Sequence, residues 1–231
     1  MSQQVFRENK SELDYLKINN NSKTAFILLH GYGASMYDLY GIGSYMKSEI
    51  SCDWIFPNGH LGLMGGMLMS RAWFPIDAEA LEKAMQTGQF RDFESVNSPE
   101  FQDAVDKSKT FVESIAEEYD YIILGGFSQG AMISTHVSLE LDEKLSALVC
   151  LSGTLISKES LINKLDHKNK FPFFQSHGKQ DPILDYSSAK NLFELLKLGG
   201  HQGEFIGFDG AHEIPESVLM KMNKFLKTYT S

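Results

Sequence analysis

Ser128 stands in the pentapeptide Gly126-Phe127-Ser128-Gln129-Gly130, between the apolar run Tyr121-Ile122-Ile123-Leu124 and a stretch of helical character reaching Leu139. A serine on a strand-to-helix turn brings together the residues two before and two after it, which calls for glycine at 126 and 130. Its hydroxyl then projects beyond the sheet edge. The helix behind it aims unpaired N–H groups, the first near Gln129, at negative charge developing on an atom bonded to Ser128. The chemistry suited to that geometry is acyl transfer. A serine that merely caps a helix after a glycine turn has the same local spelling, so the reading depends on partners elsewhere in the chain.

A serine hydroxyl is a poor nucleophile until a base with pKa near neutrality takes its proton. Two strand ends supply candidates. His177-Gly178-Lys179-Gln180-Asp181-Pro182 puts a carboxylate just beyond the apolar run 171–176, and Phe208-Asp209-Gly210-Ala211-His212-Glu213 puts an imidazole before the last helical stretch. Asp181 is the expected acid, to fix the imidazole tautomer, and His212 the expected base. Asp185 and Asp209 rank below Asp181, because one precedes a helix and the other lies in the histidine loop itself. His136, His167 and His201 read as solvated or structural, His30 and His177 as structural, and His60 has no assigned role. A third strand end, Leu29-His30-Gly31-Tyr32-Gly33, has glycines that let the Tyr32 N–H turn toward Ser128 and join that of Gln129 as an oxyanion hole. The chain order serine, acid, histidine is that of α/β hydrolases.

These residues need a sheet whose strand ends converge. Short apolar and β-branched runs alternate with amphipathic stretches, the pattern of a mostly parallel sheet with helices on both faces. Strands are expected at 25–29, 53–56, 121–126, 147–151, 171–176 and 204–208, with an edge strand at 13–18. Helices are expected at 37–47, 99–118, 129–139, 187–198 and 215–228. In such sheets chemistry gathers at the carboxyl ends of the strands.

At 231 residues and 42% hydrophobic content, the chain suits one domain, 1–231, with a single core. A net charge of −9 argues against nucleic acid and anionic lipid as partners. Two cysteines, Cys52 and Cys150, make neither a disulfide framework nor a zinc site, which suggests a reducing compartment. The start reads MSQQVFRENKSELDYLKI, without a signal-peptide run, and no segment has the length and apolarity of a membrane span. The expectation is a cytoplasmic monomer or homodimer without stable membrane insertion. No cofactor or metal is called for, since no histidine pair has helical ligand spacing.

Taken together, HGYGAS after the first core strand, Arg71-Ala72-Trp73-Phe74, GFSQGA, SHGKQDPIL and GAH occur in the order of the phospholipase/carboxylesterase family of α/β hydrolases, the group that includes acyl-protein thioesterases. The chain resembles that family over nearly its whole length, departing at Ala131, where glycine is common, and at Pro75, where the thioesterases often have aspartate. The resemblance implies an α/β-hydrolase fold and a serine esterase acting on carboxylic esters or thioesters of small-molecule or acylated substrates through an acyl-enzyme. It implies Ser128, Asp181 and His212 as the triad, with Tyr32 and Gln129 as backbone donors. Lysophospholipase, acyl-protein thioesterase and peptidase activities are the alternatives, and a non-catalytic binding protein on the same fold is the rival from another class.

On the substrate side, the methionine- and glycine-rich run 61–69, including Leu63, Met64 and Met67, suits a wall that adapts to acyl chains. It equally suits a buried connection. Trp73 and Phe74 read either as pocket lining or as core aromatics. Residues 60–97, with their acidic stretch 77–97, are the expected substrate-site loop or insertion.

Overall fold

The structure, a computed structural model, describes residues 4–63, 69–141, 144–166 and 169–230. Its strands are β1 (Val5–Arg7), β2 (Asp14–Ile18), β3 (Thr24–Leu29), β4 (Asp53–Pro57), β5 (Leu61–Gly62), β6 (Arg71–Ala72), β7 (Tyr121–Phe127), β8 (Leu145–Leu151), β9 (Pro172–Gly178) and β10 (Gln202–Phe208). The helices are α1 (Tyr40–Met46), α2 (Ala78–Thr87), α3 (Pro99–Ala116), α4 (Gln129–Ser138), α5 (Lys158–Lys164), α6 (Tyr186–Leu198) and α7 (Glu216–Leu226). Eight strands form one sheet in the order β1-β2-β4-β3-β7-β8-β9-β10, parallel from β4 through β10, with β2 antiparallel to both β1 and β4. β5 and β6 make a separate antiparallel pair.

The period of two along each strand sorts side chains between the sheet's faces. Phe26 and Leu28 of β3, Trp54 and Phe56 of β4, and Val149 of β8 pack with Met46 of α1 and Val218, Met222 and Leu226 of α7. The alternate residues Ala25, Ile27 and Leu29, with Ile122 and Leu124, pack with α3 and α4. Leu148, Cys150 and Phe173 continue that second face beneath α5 and α6. Every residue of β3 and β4 is buried, so these strands read as unbroken apolar runs.

The 13–18 run was expected at an edge, but β1 pairs outside it. Val5–Arg7 has only three residues, none of them buried, and too short an alternation to register as a strand. Glu8 anchors it instead. Its carboxylate accepts the Lys10 N–H, the Ser11 N–H and the Ser114 hydroxyl of α3 at 2.8, 2.6 and 2.9 Å. Pro215 lies outside α7 as its N-cap residue.

Candidate active site

Ser128 occupies the junction of β7 and α4 with φ 54° and ψ −117°, a left-handed backbone that side chains rarely adopt. Its hydroxyl makes no cap hydrogen bond to α4, unlike Ser98, which accepts the Phe101 N–H at the start of α3. Helix capping therefore does not account for Ser128. The turn closes as its spelling requires. A Cβ on Gly126 would lie 2.3 Å from the Gly130 carbonyl carbon, and one on Gly130 would lie 2.3 Å from the Leu29 carbonyl oxygen. The Ala131 and Met132 N–H groups donate to the Ser128 carbonyl at 3.0 and 3.1 Å, and the N–H of Gln129 heads the helix with no carbonyl of its own turn to reach.

The loop after β3 passes against this elbow. A Cβ on Gly31 would meet the Phe127 ring at 3.2 Å and the Ser128 Cβ at 3.4 Å, so Tyr32, half-buried, follows directly beside the serine. Several bonds hold the loop. The Gly59 N–H donates to His30 Nε2 at 2.9 Å, so Nδ1 carries the proton donated to the Gly31 carbonyl at 2.7 Å. Burial drives the His30 pKa down to about 4, which suits that neutral tautomer. The indole of Trp73 donates to the His30 carbonyl at 2.8 Å, and Gly33 and Ala34 pair with the Arg71 backbone.

Asp181 and His212 meet, with His212 Nδ1 2.6 Å from Asp181 Oδ2. The other carboxylate oxygen accepts the Ile183 and Leu184 N–H groups at 2.8 and 3.0 Å. The Asp181 side chain is wholly enclosed. Burial alone would raise its pKa, but hydrogen bonds from His177 and His212, the charge of His212 and the Leu184 N–H together hold it well below the usual carboxylate range. The His212 ring stacks at a tilt on Phe127, 4.8 Å between centroids, which sets it beside the residue preceding Ser128. Its loop rests on Gly178, where a Cβ would lie 2.1 Å from the Ala211 carbonyl oxygen. Ser152, with φ 47° at the end of β8, donates its hydroxyl to the Glu213 carbonyl at 3.2 Å.

The competing residues lie elsewhere. Asp185 caps α6 through the Ser187 N–H at 3.0 Å, and Asp209 pairs with Lys179 on the surface. His136 is buried in α4 with Nε2 3.0 Å from the Ile156 carbonyl oxygen, and His201 is buried against Phe171. His167 lies outside the described residues.

The substrate-side expectations divide. Trp73 and Phe74 are core residues, fully and almost fully buried, rather than pocket lining. The Gln129 side chain clamps their backbone, accepting the Trp73 N–H at 2.9 Å and donating to the Phe74 carbonyl at 2.7 Å. Leu63 is half-buried, its N–H donating to the Ser70 carbonyl at 3.0 Å. Met64 and Met67 lie outside the described residues. His60 forms a wall shared by two clefts. One, of about 360 Å³, is lined in part by Asn58, Arg71 and Lys107, and the other, of about 250 Å³, by Leu61, Pro75, Pro99, Glu100 and Asp103. Sequence reasoning missed the Gln129 clamp. A long polar side chain inside the elbow, where burial is expected, was the available signal.

No group of three or more potential metal ligands occurs among the described residues, and no helix among them is long and apolar enough to cross a membrane. Cys52 and Cys150 are free and buried, and burial pushes the Cys150 thiol up to about 12.

A mostly parallel sheet clad on both faces by helices, with a serine elbow at its central strand, defines an α/β hydrolase. The esterase PE8 has the same fold, superposing with a TM-score of 0.78 over 99% of this chain and 98% of its own at 24% identity. The chain belongs to the phospholipase/carboxylesterase family, whose model matches residues 16–230, and is an ester hydrolase. Relatives include acyl-protein thioesterase 1 of Debaryomyces hansenii, 31% identical over 89% of this chain and 90% of its own, and acyl-protein thioesterase 1 of Candida albicans, 31% identical over 90% and 93%.

Proposed function

We propose that the chain is a single-domain serine hydrolase cleaving carboxylic esters and thioesters through an acyl-enzyme on Ser128. The observation that carries this reading is the short His212–Asp181 hydrogen bond on a ring packed against Phe127, beside an uncapped serine on a positive-φ turn. Ser128 Oγ attacks the acyl carbon while its proton passes to His212. The Tyr32 and Gln129 N–H groups hold the resulting oxyanion. Collapse breaks the bond to the leaving alcohol or thiol, which takes the proton from His212. A water, deprotonated by the same histidine, then releases the acid and restores Ser128. Asp181 holds the imidazole with Nδ1 protonated and opposes the charge it gains.

The relatives named as acyl-protein thioesterases favour thioester substrates with an acyl chain. Residues 60–97, including Leu63, Met64 and Met67, are the proposed acyl-contacting stretch. Two free, buried thiols are in keeping with a cytoplasmic setting. A fluorophosphonate probe is expected to label Ser128 in the folded protein and to leave Ser128→Ala untouched. An absent adduct would instead favour a hydrolase-fold binding protein. A panel of ester, thioester and amide leaving groups over graded acyl lengths separates thioesterase from lysophospholipase and peptidase.

A further inference from the structure

His177, one residue before the end of β9, has no exposed surface. Its ring nitrogens face only oxygen. Nδ1 lies 3.2 Å from the Gly153 carbonyl oxygen, while Nε2 lies 3.0 Å from the Leu184 carbonyl oxygen and 3.2 Å from Asp181 Oδ2. A neutral imidazole has one N–H and one lone pair. In either tautomer, therefore, one nitrogen would turn a lone pair onto an oxygen lone pair inside an enclosed site, at the full cost of an unmade buried hydrogen bond. The doubly protonated ring supplies a donor to each side. The desolvation of that cation is opposed by the buried Asp181 carboxylate beside it.

We propose that His177 is held as an imidazolium which shares the Asp181 carboxylate with His212, and that it acts as a positioning residue setting how strongly His212 holds a proton. This rests on reading Asp181 and His212 as the acid and base of the reaction. Asp181 Oδ2 serves two rings at once, 2.6 Å from His212 and 3.2 Å from His177. With a cation already on that oxygen, His212 faces a partly compensated charge. The pull that Asp181 exerts on a proton at His212 is correspondingly weaker.

The other titratable groups around this pair leave that balance intact. Tyr186, at the start of α6, has its ring centroid 6.1 Å from that of His177. Asp209 and Lys179 pair with each other on the surface. Glu213 is exposed, with one carboxylate oxygen accepting the Ala211 N–H, and the segment after β8 contributes the Gly153 carbonyl.

The test begins on the wild-type chain. With ¹⁵N-labelled histidine, both ring nitrogens of His177 are expected to give protonated-type signals from about pH 5 to about pH 9, where a free imidazole titrates. A lone-pair-type nitrogen in that window would overturn the proposal. In His177→Asn and His177→Gln, the acid limb of kcat/KM for a p-nitrophenyl ester is expected to move up by about one pH unit, as Asp181 gives its whole charge to His212. An unmoved limb with lowered kcat means a merely structural histidine and also overturns it. Should both variants fail to fold, the wild-type spectrum decides. Should the wild type hydrolyse no ester, the acid–base reading of the pair fails while the spectrum still reports the charge on His177.

Discussion

At Ser128 the hydroxyl makes no cap bond to the helix it precedes, and its proposed use as a nucleophile depends on side chains that arrive from two other strand ends. Ser128→Ala is expected to lower kcat by at least about 10³-fold, leaving whatever the oxyanion donors achieve alone. Asp181→Asn is expected to lower it by about 10⁴-fold, with urea unfolding showing the fold retained. Gln129→Ala leaves the backbone donor in place but strips the Trp73 N–H and the Phe74 carbonyl of their buried partners. Equilibrium unfolding should register about 1 to 3 kcal/mol for each group left unsatisfied. At this scale Ser128, Asp181 and His212 were legible because each follows an apolar run, and the sheet's geometry does the rest. The Gln129 clamp and the oxygen cage of His177 were not, because they depend on which carbonyls the fold brings within hydrogen-bonding distance, and a linear sequence carries no such distances.

Between elements, glycines set the close approaches that hold the site together. Gly178→Ala would push its Cβ into the Ala211 carbonyl, and the His212 loop must yield, since β9 is fixed by pairing on both sides. The expected result is a kcat about 10²-fold lower, read by steady-state kinetics, with the circular dichroism spectrum unchanged. The long parallel strands and helices were readable from two-sided apolar runs and from the period of amphipathic stretches. β1, β5 and β6 escaped, having two or three residues each, too few to show a period. α5 escaped for a related reason. Its one buried residue is Leu161, which traces no stripe. β2 lost its expected edge position to β1 alone.

Across the whole molecule, acid sensitivity follows from two histidines buried neutral. Burial drives both His30 and His136 down to about 4, against about 6.5 in an unfolded chain. Between those values the unfolded state binds protons that the folded state refuses, so the stability these sites contribute is present above about pH 6.5 and is lost as pH falls toward about 4. Each site's share is about 3 kcal/mol, and urea midpoints across that range should fall accordingly. Carboxylates with depressed values, Asp181 and Glu8 among them, add a second loss at still lower pH, as they are forced to protonate. The backbone at Ser128 acts on the same global balance. A left-handed, non-helical φ,ψ pair costs about 1 to 3 kcal/mol in a residue with a side chain and little in glycine. Ser128→Gly should therefore melt a few degrees higher than the parent by calorimetry, at about 2 to 4 °C per kcal/mol, while losing turnover as Ser128→Ala does. Heat resistance and reactivity are thus in direct opposition at one position. A library of variants screened for thermal survival alone would accumulate glycine at residue 128 and discard the enzyme while improving the protein.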